Sequence, residues 1–446
     1  MAIRIVADLA EARRTILARR PPEDEPLSPR MREGIARVFG ADLSAAQVVE
    51  RILADVRRDG DDALRHYTAA IDGAQLDALL VTEDEIAAGL AQVEPTVIAA
   101  MRVTAERVEA FHRRQLRQSW FSFESYGTLG QLIRPLARVG LYVPGGTAAY
   151  PSSLLMSAIP ARVAGVGEII VATPPGRDGT LPAVTLAAAH VAGVHRIVKV
   201  GGAQAIAALA YGTASVPRVD KILGPGNIFV TLAKGRVAGL VAIDGLLGPT
   251  ETMLIADDSA SPALVAADLL AQAEHDPMAS PILLTPSAAL AERVADELME
   301  QLPTLSRSSI ALAALEHNGG IVIVPDLAAA VELANDYAPE HLCLLVRDPW
   351  AVLPQVRNAG GVFLGEASAE VLGDYVAGPS HSMPTSGTAR FSSPLNVEEF
   401  LKITSLFALN DRAVRELGPA AIALADAEGL TAHAAAVRRR LQGQHD

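Results

Sequence analysis

Hydrophobic residues recur with a helical period over the first quarter of the chain. The pattern predicts a run of helices over residues 29–116. Ser44 with Gln47, and Thr82 with Glu85, have the spacing of capping boxes, which begin helices. Nothing in this part of the sequence indicates a catalytic or binding site.

The pattern changes after residue 138 to short β-branched runs that alternate with alanine-rich helices. This alternation predicts parallel βαβ units. The predicted strands are 139–143, 168–172, 196–200 and 219–223, and the predicted helices are 153–164, 181–192, 203–211 and 227–237.

A second α/β series follows from residue 251 to about residue 364. Its predicted strands are 253–256, 282–285, 321–324, 342–346 and 362–364, and its predicted helices are 262–275, 288–301, 308–317 and 327–337. From Val397 the pattern predicts helix to the end of the chain. Such a tail rarely forms a core alone, so we expect it to pack on another subunit.

The predicted fold class is therefore α/β, with two incomplete Rossmann-like parallel-sheet domains, one inserted in the other, and a helical C-terminal tail. The predicted boundaries are an N-terminal helical extension at 1–37, a first α/β domain at 38–140 and 251–395, an inserted α/β domain at 141–250, and a tail at 396–446. Two or three domains are also what 446 residues imply, because a single core rarely grows to that size.

The composition argues against two classes of binding partner, nucleic acids and membranes. The chain has 38 basic and 51 acidic residues, a net charge of −13, and no block of Lys and Arg, which argues against nucleic acid. The uncharged stretch 139–161 is long enough to span a bilayer, but its three prolines and three glycines interrupt a continuous helix, which argues against a membrane.

The first residues lack the apolar run of a secretory signal. Cys343 is the only cysteine, so no internal disulfide can form, and a soluble protein of the reducing cytoplasm is predicted. The apolar neighbours Leu342 and Leu344 indicate that Cys343 is a buried packing residue and not a nucleophile.

Three glycine-containing turns follow predicted strands of the first series, where parallel sheets bind ligands. They are Tyr142-Val-Pro-Gly145-Gly146-Thr147, Gly201-Gly-Ala-Gln204 and Gly224-Pro-Gly-Asn227. The last two also open helices, whose N-terminal amides can bind a phosphate. Neither Gly-x-Gly-x-x-Gly nor a Walker A sequence occurs, so ordinary tight turns explain these segments as well as a nucleotide does.

Side chains suited to chemistry stand in four later segments. Gln272 and His275 lie three apart at the end of a predicted helix, and Glu340 precedes His341 where a helix gives way to a strand. An adjacent carboxylate and imidazole can activate water and relay protons. A surface Gln with a capping His, and a helix-end ion pair, are the simpler explanations of the two segments.

The other two segments are a long polar loop and a helix start. Residues 373–390 contain Asp374 and His381 and are rich in Gly and Pro, and long ordered loops are usually functional. Glu428 and His433 flank a predicted helix start, where an exposed His is the simpler explanation. The set Gln272, His275, Asp374 and His433 contains N and O ligands and no thiolate, which suits zinc or manganese, although it has no short zinc-site spacing.

Taken together, these segments resemble the histidinol dehydrogenase family over nearly the whole chain. The resemblance is weakest at the N-terminus. It is carried by Val139-Gly-Leu-Tyr-Val-Pro-Gly-Gly146, Val200-Gly-Gly-Ala-Gln-Ala-Ile-Ala-Ala-Leu-Ala210, Gly224-Pro-Gly-Asn227, Gln272-Ala-Glu-His275, Pro339-Glu-His-Leu342, Ala377-Gly-Pro-Ser-His381 with Pro384-Thr385, and Leu430-Thr-Ala-His433.

The resemblance implies a zinc-dependent enzyme of histidine biosynthesis that oxidises L-histidinol to L-histidine through L-histidinal, in two NAD-dependent steps. It also implies a homodimer with exchanged tails and shared sites, one Zn²⁺ per subunit, and NAD in the inserted domain. The implied zinc ligands are Gln272, His275, Asp374 and, from the partner subunit, His433. The implied catalytic pair is Glu340, which activates water, and His341, which accepts protons.

The implied NAD contacts are Tyr142, Gln204 and Asn227. The implied substrate contacts are the four zinc ligands together with Thr250, His341 and Glu428. Family members commonly have Ser where this chain has Thr250, which keeps the hydroxyl and adds a methyl group to the pocket wall.

Three other functions fit parts of the same pattern. A related zinc and NAD dehydrogenase would oxidise another small alcohol, such as a sulfonated diol, although the presence of both Glu428 and His433 favours histidinol. A zinc hydrolase would use Glu340 to activate metal-bound water and would need no NAD. A non-catalytic binding protein is disfavoured by the number of ionisable groups.

Overall fold

The computed structural model describes residues 3–19, 27–145 and 149–442, so Gly146 and Thr147 of the predicted turn lie outside the described residues, as do the ends of the extension and of the tail. Its strands are β1 Ile5–Val6, β2 Trp120–Glu124, β3 Gly127–Pro135, β4 Arg138–Tyr142, β5 Glu168–Ala172, β6 Arg196–Val198, β7 Lys221–Leu223, β8 Ala242–Ile243, β9 Glu251–Ala256, β10 Ser280–Thr285, β11 Gly320–Ile323, β12 His341–Leu345, β13 Gly361–Leu364 and β14 Leu401–Leu409.

The helices match most of the predicted pattern. They are α1 Leu9–Arg14, α2 Pro29–Phe39, α3 Ala45–Asp59, α4 Asp61–Tyr67, α5 Glu83–Gln92, α6 Pro95–His112, α7 Pro151–Ala164, α8 Ala183–Ala192, α9 Gly202–Tyr211, α10 Ile228–Val237, α11 Pro262–Ala273, α12 Ala288–Gln301, α13 Ser308–His317, α14 Leu327–Tyr337, α15 Pro349–Val352, α16 Glu370–Tyr375, α17 Asp411–Ala427 and α18 Thr431–Gln442. A π-helical turn at Thr68–Asp72 extends α4. Both predicted capping boxes form, at Ser44 with Gln47 and at Thr82 with Glu85.

The first α/β series forms a parallel sheet, as predicted, with a fifth strand, β8, that the pattern did not predict. Its strand order is β6-β5-β4-β7-β8. Numbered along the chain, this is the order 3-2-1-4-5 of doubly wound folds, which leaves a crevice where the order reverses, between β4 and β7. The turns after Tyr142 and Leu223 therefore lie side by side at the carboxyl edge of the sheet.

The second series forms a six-stranded parallel sheet in the order β1-β11-β10-β9-β12-β13. From β9 onward this is again 3-2-1-4-5, and β9 and β12 are central neighbours. The strand β1 adds an edge by pairing Ile5 with Ile321. The N-terminal extension predicted as helical therefore contributes a strand as well as α1, because its apolar residues at 3, 5 and 6 fit a sheet edge.

A third sheet, antiparallel and three-stranded, has the order β14-β3-β2. The strand β14 pairs with β3 along its whole length, from Leu401 opposite Pro135 to Leu409 opposite Gly127. The prediction of helix from Val397 onward is thus wrong as far as residue 409. The pairing partner lies far away in sequence, so local periodicity carried no sign of it.

After β14 the tail is helical, as predicted. The helices α17 and α18 form an antiparallel hairpin in which Gly418 lies against Val437 and Leu441. Large apolar side chains on this hairpin are exposed, among them Leu417, Leu424 and Leu430. A monomer thus leaves an apolar surface on the hairpin facing solvent.

The helices of residues 38–112 pack on the five-stranded sheet. Ile52 of α3 shares a core with Ile170 of β5, and Val108 of α6 shares another with Val171 of the same strand. This packing departs from the predicted grouping of 38–140 with 251–395. The six-stranded sheet is covered instead by its own crossover helices and by α1.

Within the described ranges, no single helix is long and apolar enough to cross a membrane. The helix pair Glu83–Gln92 and Pro95–Gln115, bent by 112°, meets the length and composition only when both are counted together.

Candidate active site

The candidate site lies at the amino edge of the six-stranded sheet. Thr250 immediately precedes β9, and His341 is the first residue of β12. The two strands are parallel neighbours in which His341 pairs with Thr252, so their starts lie together. Helix α11 follows β9 and runs back across the sheet, which brings Gln272 in its last turn to the same edge.

Glu340 and His341 are both held by the backbone of Glu251. Its amide donates a hydrogen bond to Glu340 Oε2 at 3.1 Å, and its carbonyl oxygen lies 3.2 Å from His341 Nδ1. The hydroxyl of Thr250 lies 2.8 Å from Glu340 Oε2 and 3.1 Å from Gln272 Oε1. The predicted catalytic pair is therefore adjacent in space, with 3.6 Å between Glu340 Oε2 and His341 Nδ1.

Asp374 brings the polar loop to this cluster. Gln272 Nε2 donates to Asp374 Oδ2 at 3.2 Å, and Asp374 Oδ1 lies 3.6 Å from His341 Nε2. That nitrogen is buried and has no hydrogen-bond partner within the described chain. His275 follows the end of α11 and is exposed, and it lies close enough to Asp374 and His341 for their charges to act on it. Asp374 lies in α16, so the loop predicted from residue 373 begins one turn later.

Burial and charge set the protonation of the cluster. Burial raises the pKa of Glu340 to about 7. Burial alone would lower the pKa of His341, but the carboxylates of Glu340 and Asp374 outweigh it and raise that pKa. Burial alone would raise the pKa of Asp374, but the nearby His341 imidazole, 3.6 Å away, lowers it. The arrangement can therefore hold or move protons at Glu340 and at His341.

A buried carboxylate behind the site escaped sequence reasoning. Glu370 is completely buried and accepts hydrogen bonds from Thr252 and, at 2.8 Å, from Cys343 Sγ. The one sequence signal is its position four residues before Asp374, on the same face of a helix. Cys343 is buried and unpaired to any cysteine, as its apolar neighbours predicted.

Two of the predicted site residues lie away from this cluster within the subunit. Glu428 and His433 are exposed near the turn of the α17–α18 hairpin, and neither side chain makes a hydrogen bond within the described residues. Of the residues predicted from the sequence, Thr250, Gln272, Glu340, His341 and Asp374 converge directly.

The predicted NAD contacts lie at the carboxyl edge of the five-stranded sheet. The hydroxyl of Tyr142 accepts a hydrogen bond from the amide of Gly202 at 3.0 Å. Gln204 is 1% exposed, and neither atom of its amide has a hydrogen-bond partner in the described part of the chain. Asn227 caps α10 through its side-chain oxygen, which accepts from Phe229 at 3.1 Å.

A crowded backbone crossing closes this edge. Gly224 has φ +115°, and a Cβ there would lie 2.1 Å from the carbonyl oxygen of Tyr142. The carbonyl of Gly224 accepts from Lys234 Nζ at 3.0 Å, and its amide donates to Asp244 at 2.7 Å. Only glycine fits at this position, because it needs both a positive φ and the absence of a side chain.

Two doubly wound parallel sheets and a buried acid–imidazole cluster at one sheet edge define an α/β protein with a candidate enzyme active site. The family model described as histidinol dehydrogenase matches residues 39–441. The chain therefore belongs to the histidinol dehydrogenase family.

Individual relatives agree with the family match. The chain is 56% identical over 410 residues to the histidinol dehydrogenase of Deinococcus radiodurans, which covers 92% of this chain and 93% of that protein. It is 50% identical over 440 residues to that of Dehalococcoides mccartyi strain CBDB1, covering 99% and 100%. The crystal structure of histidinol dehydrogenase from Elizabethkingia anophelis superposes with a TM-score of 0.90 at 33% identity, covering 100% of this chain and 99% of that one.

Proposed function

We propose that this protein oxidises L-histidinol to L-histidine in two successive NAD-dependent steps, as an enzyme of histidine biosynthesis. The observation that carries the proposal is the identity of 50% to a histidinol dehydrogenase over 99% of the chain. The convergence of Glu340 and His341 in one buried site supports it, because both oxidations release protons.

The site residues fit a zinc ion shared between two subunits. Gln272 and Asp374 are hydrogen-bonded to each other, His275 is close enough to Asp374 for their charges to interact, and the three supply N and O donors of the kind zinc accepts. Within the described ranges no three His, Cys, Asp or Glu side chains form a metal-binding group. We propose that Gln272, His275 and Asp374 of one subunit hold zinc together with His433 of the partner subunit.

Zinc and NAD would supply different parts of the chemistry. Bound zinc would orient the substrate as a Lewis acid, and bound NAD would accept a hydride in each step. We propose that Tyr142, Gln204 and Asn227 hold the NAD, and the unpartnered amide of Gln204 supports this because a buried polar group is normally hydrogen-bonded.

The protein's own part is proton transfer and orientation. Because its pKa is about 7, the Glu340 carboxylate can accept a proton from the water molecule that attacks the aldehyde intermediate, L-histidinal. The hydroxyl of Thr250 and the amide of Glu251 hold that carboxylate in one orientation. His341 is held through Nδ1 by the carbonyl of Glu251, so in its neutral form Nε2 is the atom that would accept the proton released from the alcohol. If Asp374 held a metal ion, the carboxylate charge that otherwise raises the pKa of His341 would be offset, which would favour that neutral form.

We propose a homodimer in which each tail completes the site of the other subunit, with Glu428 and His433 contacting the substrate of the partner. The exposed apolar side chains of the hairpin and the exposure of His275, a proposed zinc ligand, support this arrangement.

The direct test is to incubate purified protein with L-histidinol and NAD and to measure NADH and product. We expect two NADH and one L-histidine for each histidinol consumed. Small sulfonated diols and a set of ester and amide substrates are the controls. Inactivity on histidinol together with oxidation of a diol, or turnover without NAD, would contradict the proposal.

A further inference from the structure

Arg19 lies outside the family match, which begins at residue 39, and yet it reaches the back of the candidate site. It ends an N-terminal arm that is firmly packed: β1 extends the six-stranded sheet, and Ala12 and Ile16 are in that sheet's core. The arm thus delivers the Arg19 side chain to a fixed place.

The guanidinium group of Arg19 forms a two-point ion pair with the carboxylate of Glu251, with 2.8 Å between Nη2 and Oε2. The Glu251 side chain is only 7% exposed, so the pair is largely shielded from water. The same carboxylate accepts the amide of Ser386 at 2.8 Å. A forked arginine pair of this kind fixes geometry as well as charge.

Arg19 also holds the chain that leads into the catalytic pair. It donates to the carbonyl of Tyr337 at 2.7 Å from Nη2 and 3.2 Å from Nε, and it stacks on the Tyr337 ring at 3.8 Å. The next residue, Ala338, has the left-handed φ of 52°, which a residue with a Cβ adopts only when its surroundings hold it there. Two residues later the chain places Glu340.

The two groups that Arg19 binds, Glu251 and the Tyr337 carbonyl, both adjoin Glu340 and His341. Glu251 binds Glu340 through its amide and His341 through its carbonyl, and the 337–338 turn carries Glu340 and His341 directly. We propose that Arg19 is a positioning residue that fixes the Glu340–His341 pair from outside the family match, an inference that rests on the proposed function.

The test compares four variants of the full-length protein. Arg19→Gln removes the fork, and Arg19→Lys keeps only the charge. Because Arg19→Gln leaves Glu251 without its partner, the double variant Arg19→Gln/Glu251→Gln removes both charges and protects the fold. Arg13→Ala is the matched control on the same arm, where Arg13 pairs with Asp336 and both side chains are 49% exposed.

We expect Arg19→Gln and the double variant to lower kcat with histidinol by about 10–100-fold, while KM for NAD changes by less than about twofold. Arg19→Lys should recover only part of kcat, because an ammonium group cannot form the fork. Arg13→Ala should match the wild type. A double variant with the wild-type unfolding temperature and the wild-type kcat would overturn the proposal.

A crystal structure of the double variant separates this inference from the proposed function. We expect Glu340 Oε2 to lose the contact with the amide of Glu251, which is 3.1 Å long in the wild type. Retention of that contact and of the His341–Glu251 contact would overturn the positioning role. Wild-type protein that fails to oxidise histidinol would contradict the proposed function alone, and the structural comparison would still decide the role of Arg19.

Discussion

Lys234 and Asp244 form a buried ion pair, in which the two side chains are 2% and 7% exposed, and each partner also binds the backbone of Gly224. Replacing Lys234 by Met leaves the carboxylate of Asp244 buried without a partner. We expect a loss of about 3–5 kcal/mol in the free energy of unfolding. A rise in KM for NAD should accompany it, because the predicted dinucleotide turn starts at Gly224. Denaturant unfolding and steady-state kinetics measure the two effects.

Lys221→Met is the matched control for this change. Lys221 pairs with Glu399, whose side chain is 27% exposed, so its loss leaves a carboxylate that water can reach. We expect Lys221→Met to lower the free energy of unfolding by about 1 kcal/mol and to leave KM for NAD unchanged. Equal losses in the free energy of unfolding for Lys234→Met and Lys221→Met would show that the burial of the abandoned carboxylate does not decide the cost.

Gly224→Ala should damage the crevice more than its backbone angle alone requires. The new methyl group would meet the carbonyl oxygen of Tyr142, whereas Gly239 has φ +92° and nothing within 4 Å of the place that an added methyl group would take. Gly239→Ala therefore reports the backbone strain alone, about 1–2 kcal/mol. We expect Gly224→Ala to cost clearly more and to weaken NAD binding, which calorimetric unfolding and NAD titration check. Similar costs at both sites would show that the Tyr142 contact relaxes easily.

Asp72 should make the protein less stable above about pH 6 than at about pH 4. Burial raises its pKa from 3.8 to about 6, and its Oδ2 is buried without a hydrogen-bond partner within the described residues. The folded state thus binds the proton more tightly than the unfolded chain, and this contribution is lost as pH rises from about 4 to about 6. We expect Asp72→Asn to stabilise by about 1–3 kcal/mol more at about pH 8 than at about pH 4. Unfolding of both proteins at each pH measures the difference, and a pH-independent effect would contradict the assignment.

Glu340→Gln should block the second oxidation selectively. Glutamine is similar in size and keeps an oxygen for Thr250 and for the amide of Glu251, but it cannot take a proton from water. We expect oxidation of histidinol to the aldehyde to continue while oxidation of the aldehyde falls by about 100-fold or more. Assays started from histidinol and from histidinal separate the steps, with bound zinc as the control. Equal loss in both steps would argue against this role.

Complementation tests the shared site. His433→Ala should lower zinc retention and activity, and so should Asp374→Ala. If each site takes His433 from the other subunit, a mixed dimer of the two variants contains one intact site. We expect mixing and refolding the two variants to restore up to about a quarter of wild-type activity by random pairing. No recovery, with mixed dimers shown to form, would contradict the exchange of tails.

The parallel sheets could be predicted from the sequence because each strand carries a short β-branched run between helices. The adjacency of β9 and β12 could not, since strand order is a property of the whole sheet. That adjacency is what joins Thr250 to Glu340, which are ninety positions apart. The residue types at the site suggested its chemistry, but not its place at the amino edge of the strands.

The strands β2, β3 and β14 show where local pattern fails. Leu401–Leu409 has apolar residues on both faces and no buried position, so neither helical nor strand periodicity stands out. Its structure is decided by pairing with Gly127–Pro135. Arg19 was missed for a related reason. Its ion pair with Glu251 joins two segments that are far apart in the chain, and no local pattern in either segment indicates the contact.

The ribbon of β2, β3 and β14 limits how the chain can be shortened. A protein ending before Leu401 would lose the hairpin and would also strip β3 of one of its two neighbours, leaving a two-stranded ribbon. A two-stranded ribbon is only marginally stable on its own, so premature termination there should yield poorly folded, insoluble material. Ending after Leu409 keeps all three strands of the ribbon.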